Sequence, residues 1–507
     1  MPDIQEIEFK FAIAPEDASA FRKLAFLREH CIEGPRRRKL LNIYFDTPAL
    51  VLNERAMALR LRKAGGAWAQ TLKTAGMSTA GLHQRAEWEF VRPAPELDLA
   101  LFLDTPLVSL PGAADLHLTL KPVFTTDFFR TTWLIETAPG QRVEVALDQG
   151  AVRCGELTMP ISEVEIELKE GDVASVFDVA LALVSGINLR PEHVNKAERG
   201  YRLLQPAASY PQRARAVEIK RKWPVCDAMH ATFTACIDHV EANVDGTIYS
   251  DDIEYLHQLR VALRRLRSAI RIFRPAHAEN IDAELKWLTG ELGAARDWDV
   301  LVTETLPTLL DAYSDPQFTA ATMQAAAARN SAARDAARTA LRSRRANLLR
   351  VALARWVSVP GELALPVPEA SETEVPPPEN PKLSPFAAQK IRRAFRRVSS
   401  VEGTLSVLPA DARHRVRIDC KKLRYAVDFL GSLFDKKSVT RYSVTLGKIQ
   451  DLLGETNDGA VAMGLLSSLA PPDSFMEFAR GWFAARTWTA LREVDSHFVK
   501  LKALKRF

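Results

Sequence analysis

Two short glutamate-rich segments of this chain could bind a divalent metal ion. Glu6 and Glu8 alternate with apolar residues near the start of the chain, and Glu163, Glu165 and Glu167 do so much later. On a β-strand this period of two directs all the carboxylates to one face. A row of carboxylates repels itself, whereas hard cations such as Mg²⁺ prefer oxygen ligands. The two segments therefore predict strands whose carboxylates share a metal ion.

Basic residues with the same period lie between the two acidic segments. Arg60 and Arg62 alternate with leucine, and Lys73 ends the next apolar run. Further charged residues are Arg85, Glu87 and Glu89 in the next strand-like segment, Arg130 in a later one, and Lys196 and Arg199 after the second acidic segment. A packed core would not accept both signs of charge, because buried charges need partners. If the strands close into a barrel, we expect a water-filled tunnel for a metal ion and a polyanion; the alternative is a set of amphipathic strands with solvated faces.

Length and charge distribution predict two domains. With 507 residues, the chain is longer than one hydrophobic core usually serves. Residues 1–205 hold 24 Lys and Arg against 28 Asp and Glu, a net charge of −4, whereas the remaining residues hold 44 against 35, a net charge of +9. A polyanion should therefore dock on the C-terminal part.

Sequence patterns change near residue 206. Upstream, short β-branched runs alternate with Gly, Pro and Asp turns, which predicts mainly strands, whereas long amphipathic patterns downstream predict helices. Residues 206–219 are expected to form a linker. A proline-rich stretch at 359–385 is expected to be an exposed spacer between two helical segments, 220–357 and 386–507.

A basic pattern led by histidine occurs twice in the C-terminal part. Basic residues lie 3, 7, 8 and 10 positions after His257 and again after His414. They are Arg260, Arg264, Arg265 and Arg267 in the first copy and Arg417, Lys421, Lys422 and Arg424 in the second. On a helix, three of the four share the face of the histidine, and such a like-charged stripe destabilises its own helix. The repeat therefore predicts a polyanion site; a solvated basic face is the alternative, and each histidine could instead cap a helix or lie in the core.

The region of residues 1–205 resembles the CYTH domain of the triphosphate tunnel metalloenzymes. The resemblance rests on an ordered series of segments, which are 6–10, 41–48, 59–62, 71–73, 81–85, 146–150, 163–168 and 195–201. It implies an α+β domain built around an antiparallel β-barrel that encloses a tunnel. It also implies phosphoryl-transfer chemistry on a triphosphate, in which positioning and charge stabilisation matter most.

The same resemblance implies roles for individual tunnel residues. The implied ligands of one or two Mg²⁺ or Mn²⁺ ions are Glu6, Glu8, Glu165 and Glu167, with Glu163 and Asp148 as further ligands. The implied triphosphate-binding residues are Lys10, Lys39, Arg60, Arg62, Lys73, Arg85, Arg130 and Lys196. Glu87 and Glu89 would bind metal or balance the bases of the tunnel, and Lys39 and Tyr44 would lie near its mouth.

Residues 220–507 resemble the CHAD domain, an all-α helical bundle of two repeats. The resemblance rests on the two histidine-led basic helices and on a shorter repeat, in which Gly454 and Asp458 echo Gly293 and Asp297. It implies that inorganic polyphosphate is bound by the two histidines and by the eight basic residues that follow them.

The favoured function is metal-dependent hydrolysis of inorganic triphosphate to pyrophosphate and phosphate, with polyphosphate bound by the helical domain. The alternatives are an adenylate cyclase or another hydrolase of organic triphosphates, and a non-catalytic polyphosphate-binding scaffold. A nucleic-acid partner is disfavoured, because few aromatic residues accompany the basic stripes. No apolar run is long enough to span a membrane, no secretory signal is recognisable, and the five cysteines are scattered. We therefore expect a cytoplasmic protein, associated with polyphosphate granules and without a membrane partner.

Overall fold

The computed structural model describes residues 4–74, 76–79, 81–110, 115–206, 208–365 and 382–504. The chain forms two compact units. The barrel unit comprises the residues up to Ser209 together with Arg342–Glu362, and the helical unit comprises Tyr210–Leu341 and the residues from Leu363 onward. The barrel unit therefore includes a segment from the middle of the helical sequence, which the sequence analysis assigned to the helical domain.

The barrel unit is built on one antiparallel sheet, eight of whose ten strands close into a ring. The strands are β1 (Ile4–Ala12), β2 (Cys31–Asp46), β3 (Ala58–Ala64), β4 (Ala67–Lys73), β5 (Met77–Thr79), β6 (Leu82–Arg92), β7 (Lys121–Ala138), β8 (Gln141–Cys154), β9 (Leu157–Glu170) and β10 (Arg190–Pro191). Around the ring the order is β1, β9, β8, β7, β2, β3, β4 and β6, and β6 pairs with β1 to close it. β5 and β10 lie outside the ring, on β6 and β1. The closed antiparallel barrel confirms the fold expected for the N-terminal part.

Short helices surround the barrel. They are α1 (Ala18–Phe21), α2 (Ala25–His30), α3 (Val51–Glu54), α4 (Leu116–Thr119), α5 (Val173–Gly186) and α6 (Lys196–Leu204), with 3-10 turns at Pro15–Asp17, Leu99–Phe102 and Pro106–Ser109. α5 is apolar and packs against β1, β7, β8 and β9. It therefore buries the outer face of these strands.

Side chains of the barrel strands alternate between a charged interior and an apolar exterior. On β1, Glu6, Glu8 and Lys10 face the interior, whereas Phe9 points outward and is fully buried. The Phe9 ring packs edge-on against Phe177 of α5, with 5.5 Å between the ring centroids. Burial of each such side chain contributes about 1.5–3 kcal/mol. Part of the hydrophobic core of this unit thus lies outside the ring, whereas a second apolar cluster, which includes Tyr44 and Phe128, lies against the charged interior.

The helical unit consists mainly of long helices. In chain order, the remaining helices are α7 (Val225–Tyr249), α8 (Ile253–Phe273), α9 (Glu279–Glu291), α10 (Gly293–Val300), α11 (Leu306–Tyr313), α12 (Pro316–Arg342), α13 (Arg344–Ser358), α14 (Leu383–Ser399), α15 (Ala410–Leu430), α16 (Lys436–Ser467) and α17 (Asp473–Ala503), with a π-helical turn at Leu301–Thr305 and 3-10 turns at Leu405–Val407 and Gly431–Leu433. α8 and α15 carry the two histidine-led basic segments, and they pack against each other. The apolar face of α8 buries Leu259, Leu263 and Leu266. The largely helical C-terminal part confirms the fold class expected for it.

Helix α13 belongs to the barrel unit, although it follows α12 directly in sequence. It packs against α5 and β10. Asn347 Nδ2 donates a hydrogen bond to Asn188 Oδ1 at 2.9 Å, and Arg350 Nη2 donates one to the carbonyl of Pro191 at 3.3 Å. The break between α12 and α13 falls at Ser343, whose hydroxyl caps α13 by accepting from an amide in its first turn. A helix predicted for the first repeat of the helical domain therefore completes the outer layer of the barrel unit.

The segments that connect the predicted domains and repeats are irregular where they are described. Residues 208–220 contain neither helix nor strand. Most of the proline-rich spacer predicted at 359–385 falls on residues 366–381, which lie outside the described residues. No helix in the described ranges combines the length and the apolar character needed to cross a bilayer.

Candidate active site and polyanion-binding site

A cavity of ≈ 720 Å³ lies inside the barrel. Each of the eight ring strands contributes to its wall, which holds charged residues of both signs. The predicted site residues in this wall are Glu6, Glu8, Lys10, Arg60, Arg62, Lys73, Arg85, Glu87, Glu89, Arg130, Glu165, Glu167 and Lys196. The structure thus brings these residues together, while their individual binding roles remain predictions.

The paired strands β1 and β9 bring acidic side chains together. In their register, Glu8 lies opposite Glu167, and Lys10 lies opposite Glu165. Lys10 Nζ is 3.2 Å from a carboxylate oxygen of Glu8 and 3.2 Å from one of Glu165. Burial by itself would raise the pKa of Glu165, but the surrounding bases hold this pKa well below its ordinary value. Glu165 is therefore ionised at neutral pH.

Glu6 is bound by two bases of the neighbouring strands. Lys73 Nζ lies 2.7 Å from Glu6 Oε2, and Arg85 Nε donates to the same oxygen at 2.8 Å. Burial would raise the pKa of Glu6, but Lys73 and Arg85 outweigh burial and lower it. Lys73 Nζ also lies 3.2 Å from Glu87. In this arrangement, the bases of the tunnel are held in place by its acids.

Glu167 lies where negative charge is in excess. Burial raises the pKa of Glu167, and the nearby carboxylates of Glu6 and Glu144 raise it further, although Lys169 Nζ lies 2.7 Å from Glu167. A divalent cation would relieve this repulsion, and carboxylate oxygens are the ligands that Mg²⁺ and Mn²⁺ prefer. The inward carboxylates of β1 and β9 therefore fit such an ion by their chemistry.

Asp148 and Glu163 do not line the cavity. Both are fully buried, and their oxygens lie within 4.8 Å of each other and of Glu165, as metal ligands would. Lys196 Nζ lies among them, 2.6 Å from Asp148, 3.0 Å from Glu165 and in contact with Glu163. The structure places Asp148 and Glu163 behind the tunnel wall as partners of this ammonium. The predicted role as further metal ligands would require Lys196 to move away.

Three arginines crowd the part of the wall formed by β3 and β7. Arg60 Nη2 is 3.4 Å from Glu87, and Arg62 Nε donates to Asn42 Oδ1 at 3.1 Å. Burial lowers the pKa of Arg62 to about 10, helped by the positive charges of Arg60 and Arg130. A phosphate chain with several negative charges would neutralise this group of like charges.

Further wall residues were not among the predicted ones. His83, Glu144 and His193 all line the cavity. Burial, together with Lys10 and Arg85, lowers the pKa of His83 to about 3, so its ring is neutral at pH 7. The period of two in the sequence could have predicted His83, which lies two residues before Arg85 on the same strand face. It could also have predicted Glu144, which alternates with valines. His193 lies in a loop, where no periodicity indicates direction.

Lys39 lies outside the cavity. On β2, Asn42 and Tyr44 face the interior, so the period of two directs Lys39 to the outer face. Its side chain is 60% exposed, and Nζ lies 3.3 Å from Asp127. The structure therefore disagrees with the prediction that Lys39 binds triphosphate near the mouth of the tunnel.

Basic residues of α8 and α15 converge in the helical unit. We call Arg260, Arg264, Arg417 and Lys421 the basic cluster. Burial lowers the pKa of Lys421 to about 8, helped by Arg417 and Arg264, and burial with Arg264 also lowers the pKa of Arg260. The Nε atoms of Arg264 and Arg417 are buried and have no hydrogen-bond partner in the described part of the chain. The cluster thus holds positive charge that the protein balances only in part.

The two Gly–Asp segments lie in equivalent positions beside the basic cluster. A Cβ atom added to Gly293 would lie 3.6 Å from the guanidinium of Arg260, and one added to Gly454 would lie 3.7 Å from that of Arg417. The aspartate four positions after each glycine offsets part of the neighbouring positive charge. Each repeat therefore contributes one arginine next to a glycine, which supports the internal symmetry read from the sequence.

The other residues of the two basic segments are directed elsewhere. His257 is half-buried and His414 is exposed. Four basic residues already have protein partners. These pairs are Arg265 with Asp428 at 3.9 Å, Arg267 with Asp282 at 2.8 Å, Lys422 with Asp419 at 2.8 Å and Arg424 with Gln450 at 3.2 Å. The structure therefore brings only part of the predicted polyphosphate-binding set into one cluster.

Comparison with known proteins identifies relatives of both halves. A family model of the CYTH domain matches residues 5–201, and one of the CHAD domain matches residues 231–467. An inorganic triphosphatase from Haemophilus influenzae is 36% identical over 202 residues, which are 39% of this chain and 55% of that protein. The match therefore spans little more than half the length of that relative.

Solved structures match the two halves separately. The CHAD domain from the plant Ricinus communis is 29% identical and covers 59% of this chain and 99% of its own, with a TM-score of 0.49. A proposed adenylyl cyclase from Hippeastrum, which has a dominant triphosphatase activity, is 20% identical and covers 39% of this chain and 98% of its own, with a TM-score of 0.30. The matches to the two family models confirm both resemblances inferred from the sequence. The chain therefore carries a CYTH domain followed by a CHAD domain.

Proposed function

We propose that the CYTH domain hydrolyses inorganic triphosphate to pyrophosphate and phosphate with the help of Mg²⁺ or Mn²⁺. The observation that carries the proposal is the charged cavity, in which acids of β1 and β9 face bases of β3, β4, β6 and β7. A phosphate chain with bound divalent cations would balance both sets of charges. The 36% identity to an inorganic triphosphatase favours this substrate over an organic triphosphate.

The bases of the tunnel would bind phosphoryl oxygens by exchanging partners. Lys73 and Arg85 now bind the carboxylate of Glu6. Phosphoryl oxygens can replace that carboxylate, because a guanidinium donates paired N–H groups to phosphate as it does to carboxylate. Arg60 and Arg62 have more distant acidic partners, 3.4 and 3.9 Å away, and so are the more available bases.

Glu6, Glu8, Glu165 and Glu167 are the residues that would hold the metal ion, because their carboxylates face the cavity. When bound, a divalent cation would neutralise charge on the phosphoryl oxygens and lower the pKa of a coordinated water. The chain itself supplies positioning. Lys10 lies between Glu8 and Glu165 and helps to hold both carboxylates in place.

Phosphate release from triphosphate, with and without Mg²⁺ or Mn²⁺, tests this proposal. Glu6→Gln preserves the size of the side chain but removes its charge, and should lower kcat/KM by about 100-fold or more. Glu170→Gln is the matched control, because Glu170 lies on β9 but is exposed and pairs with Arg142 at 3.2 Å. It should leave kcat/KM unchanged.

Each of the other outcomes selects a different function. If the wild type releases no phosphate with either metal, the hydrolase function is excluded and the binding scaffold remains. Release that survives Glu6→Gln would mean that the reaction occurs outside this cavity. Faster release from ATP than from triphosphate would favour an organic substrate, and formation of cyclic AMP would favour the cyclase.

The CHAD domain is proposed to bind inorganic polyphosphate through the basic cluster. The support for this second function is the unbalanced charge of the cluster, seen in the buried Nε atoms of Arg264 and Arg417 and in the lowered pKa of Lys421. A linear polyanion needs no aromatic stacking, unlike a single-stranded nucleic acid. It could therefore bind to such a cluster by charge-assisted hydrogen bonds alone.

Calorimetric titration of the full chain with linear polyphosphate, in the presence of a chelator, tests this binding. Arg417→Ala should raise Kd about tenfold, because it removes a charged hydrogen-bond donor. Arg415→Ala is the control, since Arg415 lies on the exposed side of the same helix. Equal losses in both variants would indicate unspecific attraction by net charge. A lower Kd for single-stranded RNA than for polyphosphate would favour a nucleic-acid partner.

Two further proposals concern the whole chain. We propose that residues 1–205 form the CYTH domain, residues 206–219 a linker and residues 220–507 the CHAD domain. Within the last range, Arg342–Glu362 packs with the barrel unit. We also propose a cytoplasmic location with association to polyphosphate granules. Fluorescence microscopy of the tagged protein, with and without polyphosphate in the cell, would test the location.

A further inference from the structure

The cavity inside the barrel reaches a second mouth. A smaller cavity of ≈ 380 Å³ adjoins it, and four residues line both cavities: Arg62, Glu89, Arg130 and Glu144. The smaller cavity is bordered further by the part of β2 that carries Arg38. A ligand that fills the tunnel and extends beyond it on this side would therefore meet Arg38.

Positive charge at Arg38 is not balanced by the protein. Its Cα partner across the β2–β7 pair is Arg130, and directly opposed like charges are unfavourable in a sheet. Arg130 has its own acidic partners, since it lies 2.6 Å from Asp148 and also contacts Glu165. For Arg38, no carboxylate of the described residues lies within ion-pair distance. Its guanidinium is exposed and can bind an anion.

Arg62 supplies a second donor group at the same mouth. One of its N–H groups binds Asn42, and its acidic partner Glu89 is 3.9 Å away, at the limit of an ion pair. Because burial and the adjacent arginines also lower the pKa of Arg62, an anion placed here would gain from the charge of Arg62 and would relieve its repulsion from Arg130.

We propose that Arg38 forms an additional phosphate-binding subsite next to Arg62 of the tunnel wall. The subsite holds the far phosphoryl groups of linear polyphosphates longer than triphosphate, and so contributes to the chain length that the tunnel prefers. This inference rests on the proposed triphosphatase function, because the other end of the chain must lie at the carboxylates of β1 and β9.

A linear polyphosphate suits the positions of these bases, because every phosphoryl group along its chain carries negative charge. From Tyr44, which faces the main cavity, to Arg38, β2 extends for about 20 Å. An organic group resting near Trp68 is the competing occupant, since this residue also borders the second mouth. However, Lys63 Nζ already lies 5.6 Å from the centroid of the Trp68 ring. The charges of the mouth therefore favour phosphate.

The test compares Arg38→Ala with Arg37→Ala on triphosphate and on linear tetraphosphate. Arg37 is the matched control, because its guanidinium lies over the Phe129 ring, 4.4 Å from the centroid, on the outer face of β2. We expect Arg38→Ala to raise KM for tetraphosphate about five- to tenfold while kcat stays constant. Constants for triphosphate should change by less than about twofold in both variants. Contacts away from the reacting bond add equally to ground-state and transition-state binding, so KM rather than kcat reports them.

Several results would overturn the subsite. Equal changes on triphosphate and tetraphosphate would mean that Arg38 acts on the tunnel as a whole. A changed KM for ATP with no change for tetraphosphate would assign the second mouth to an organic group. If the wild type releases no phosphate from any substrate, the proposed function fails. Calorimetric titration with tetraphosphate then still tests the subsite, because it measures whether Arg38→Ala weakens binding and Arg37→Ala does not. Equal Kd values for tetraphosphate in the two variants would exclude the subsite as well.

Discussion

The tunnel of the CYTH domain and the basic cluster of the CHAD domain both gather basic side chains, but they balance the charge differently. In the tunnel wall, Lys196 lies 2.6 Å from Asp148 and has further acidic partners. In the basic cluster, Arg264 and Arg417 each keep a buried Nε atom that has no partner among the described residues, and the pKa of Lys421 falls to about 8. Paired charges suit a site that must hold metal and phosphate in fixed positions. Unbalanced charge suits a surface that attracts a polyanion.

Secondary structure explains why the two regions differ. A strand sends alternate side chains into the barrel, so several of the ring strands add charged side chains to the interior, and charges of opposite sign become neighbours. A helix instead presents one stripe, and both basic segments lie on helices that pack together, α8 and α15. Two stripes of the same sign then reinforce each other.

The largest expected effect comes from breaking the charge balance of the tunnel. Lys196→Met leaves Asp148 and Glu163 buried near each other without the ammonium that lies between them. The free energy of unfolding of the barrel should fall by about 3–5 kcal/mol in urea denaturation. Lys39→Ala, which breaks an exposed pair with Asp127, should cost only about 0–1 kcal/mol. Similar losses in the two variants would show that internal pairing does not stabilise the barrel.

The next largest expected effect is a difference between the two regions in the salt dependence of ligand binding. Binding of polyphosphate by the basic cluster should weaken about tenfold or more when salt is raised about fourfold, because a bound polyanion releases counterions. KM for triphosphate should change much less, because charges inside the barrel are screened less than exposed ones. Titration and phosphate release in the same salt series measure both. Equal salt slopes would contradict the contrast drawn between the regions.

The pH dependence of polyphosphate binding should depend on Lys421. Because its pKa is lowered to about 8, Lys421 is charged below that pH and neutral above it. A polyanion prefers the charged form, so its Kd should rise about fivefold as the pH increases from about 7 to about 9.5. Lys421→Arg keeps its charge throughout and should flatten the profile. An unchanged profile in this variant would exclude Lys421 as the titrating group.

The smallest expected effect concerns the packing of α13 within the barrel unit. Arg355 of α13 pairs with Asp178 of α5, which is half-exposed. A double-mutant cycle with alanine at both positions should give a coupling energy of about 0.2–1 kcal/mol in the unfolding of the barrel. Coupling in the unfolding of the helical unit instead would contradict the assignment of α13 to the barrel unit.

Strand periodicity predicted most of the tunnel wall, whereas the assignment of Lys39 came from the resemblance. The alternation around Glu6, Glu165 and Arg62 was sufficient to direct these side chains to one face. Lys39 was assigned by resemblance alone, although it differs in parity from the inward residues of β2. The pairing of β2 with β7 is regular from Arg36 to Tyr44, so the period of two by itself directs Lys39 to the outer face.

The sequence by itself determined the two families, the strand and helix patterns, and the sign of charge on each face, because these depend on local periodicity and on ordered motifs. Only the tertiary structure decided which charges are partners. Asp148, Glu163 and Lys196 meet through the packing of α6 against β8 and β9, and the Arg38–Arg130 pair depends on the β2–β7 register. The tertiary structure also decided that α13 packs on the barrel. Local periodicity specifies which way a side chain points, whereas its partner is specified by contacts between segments that are distant in sequence.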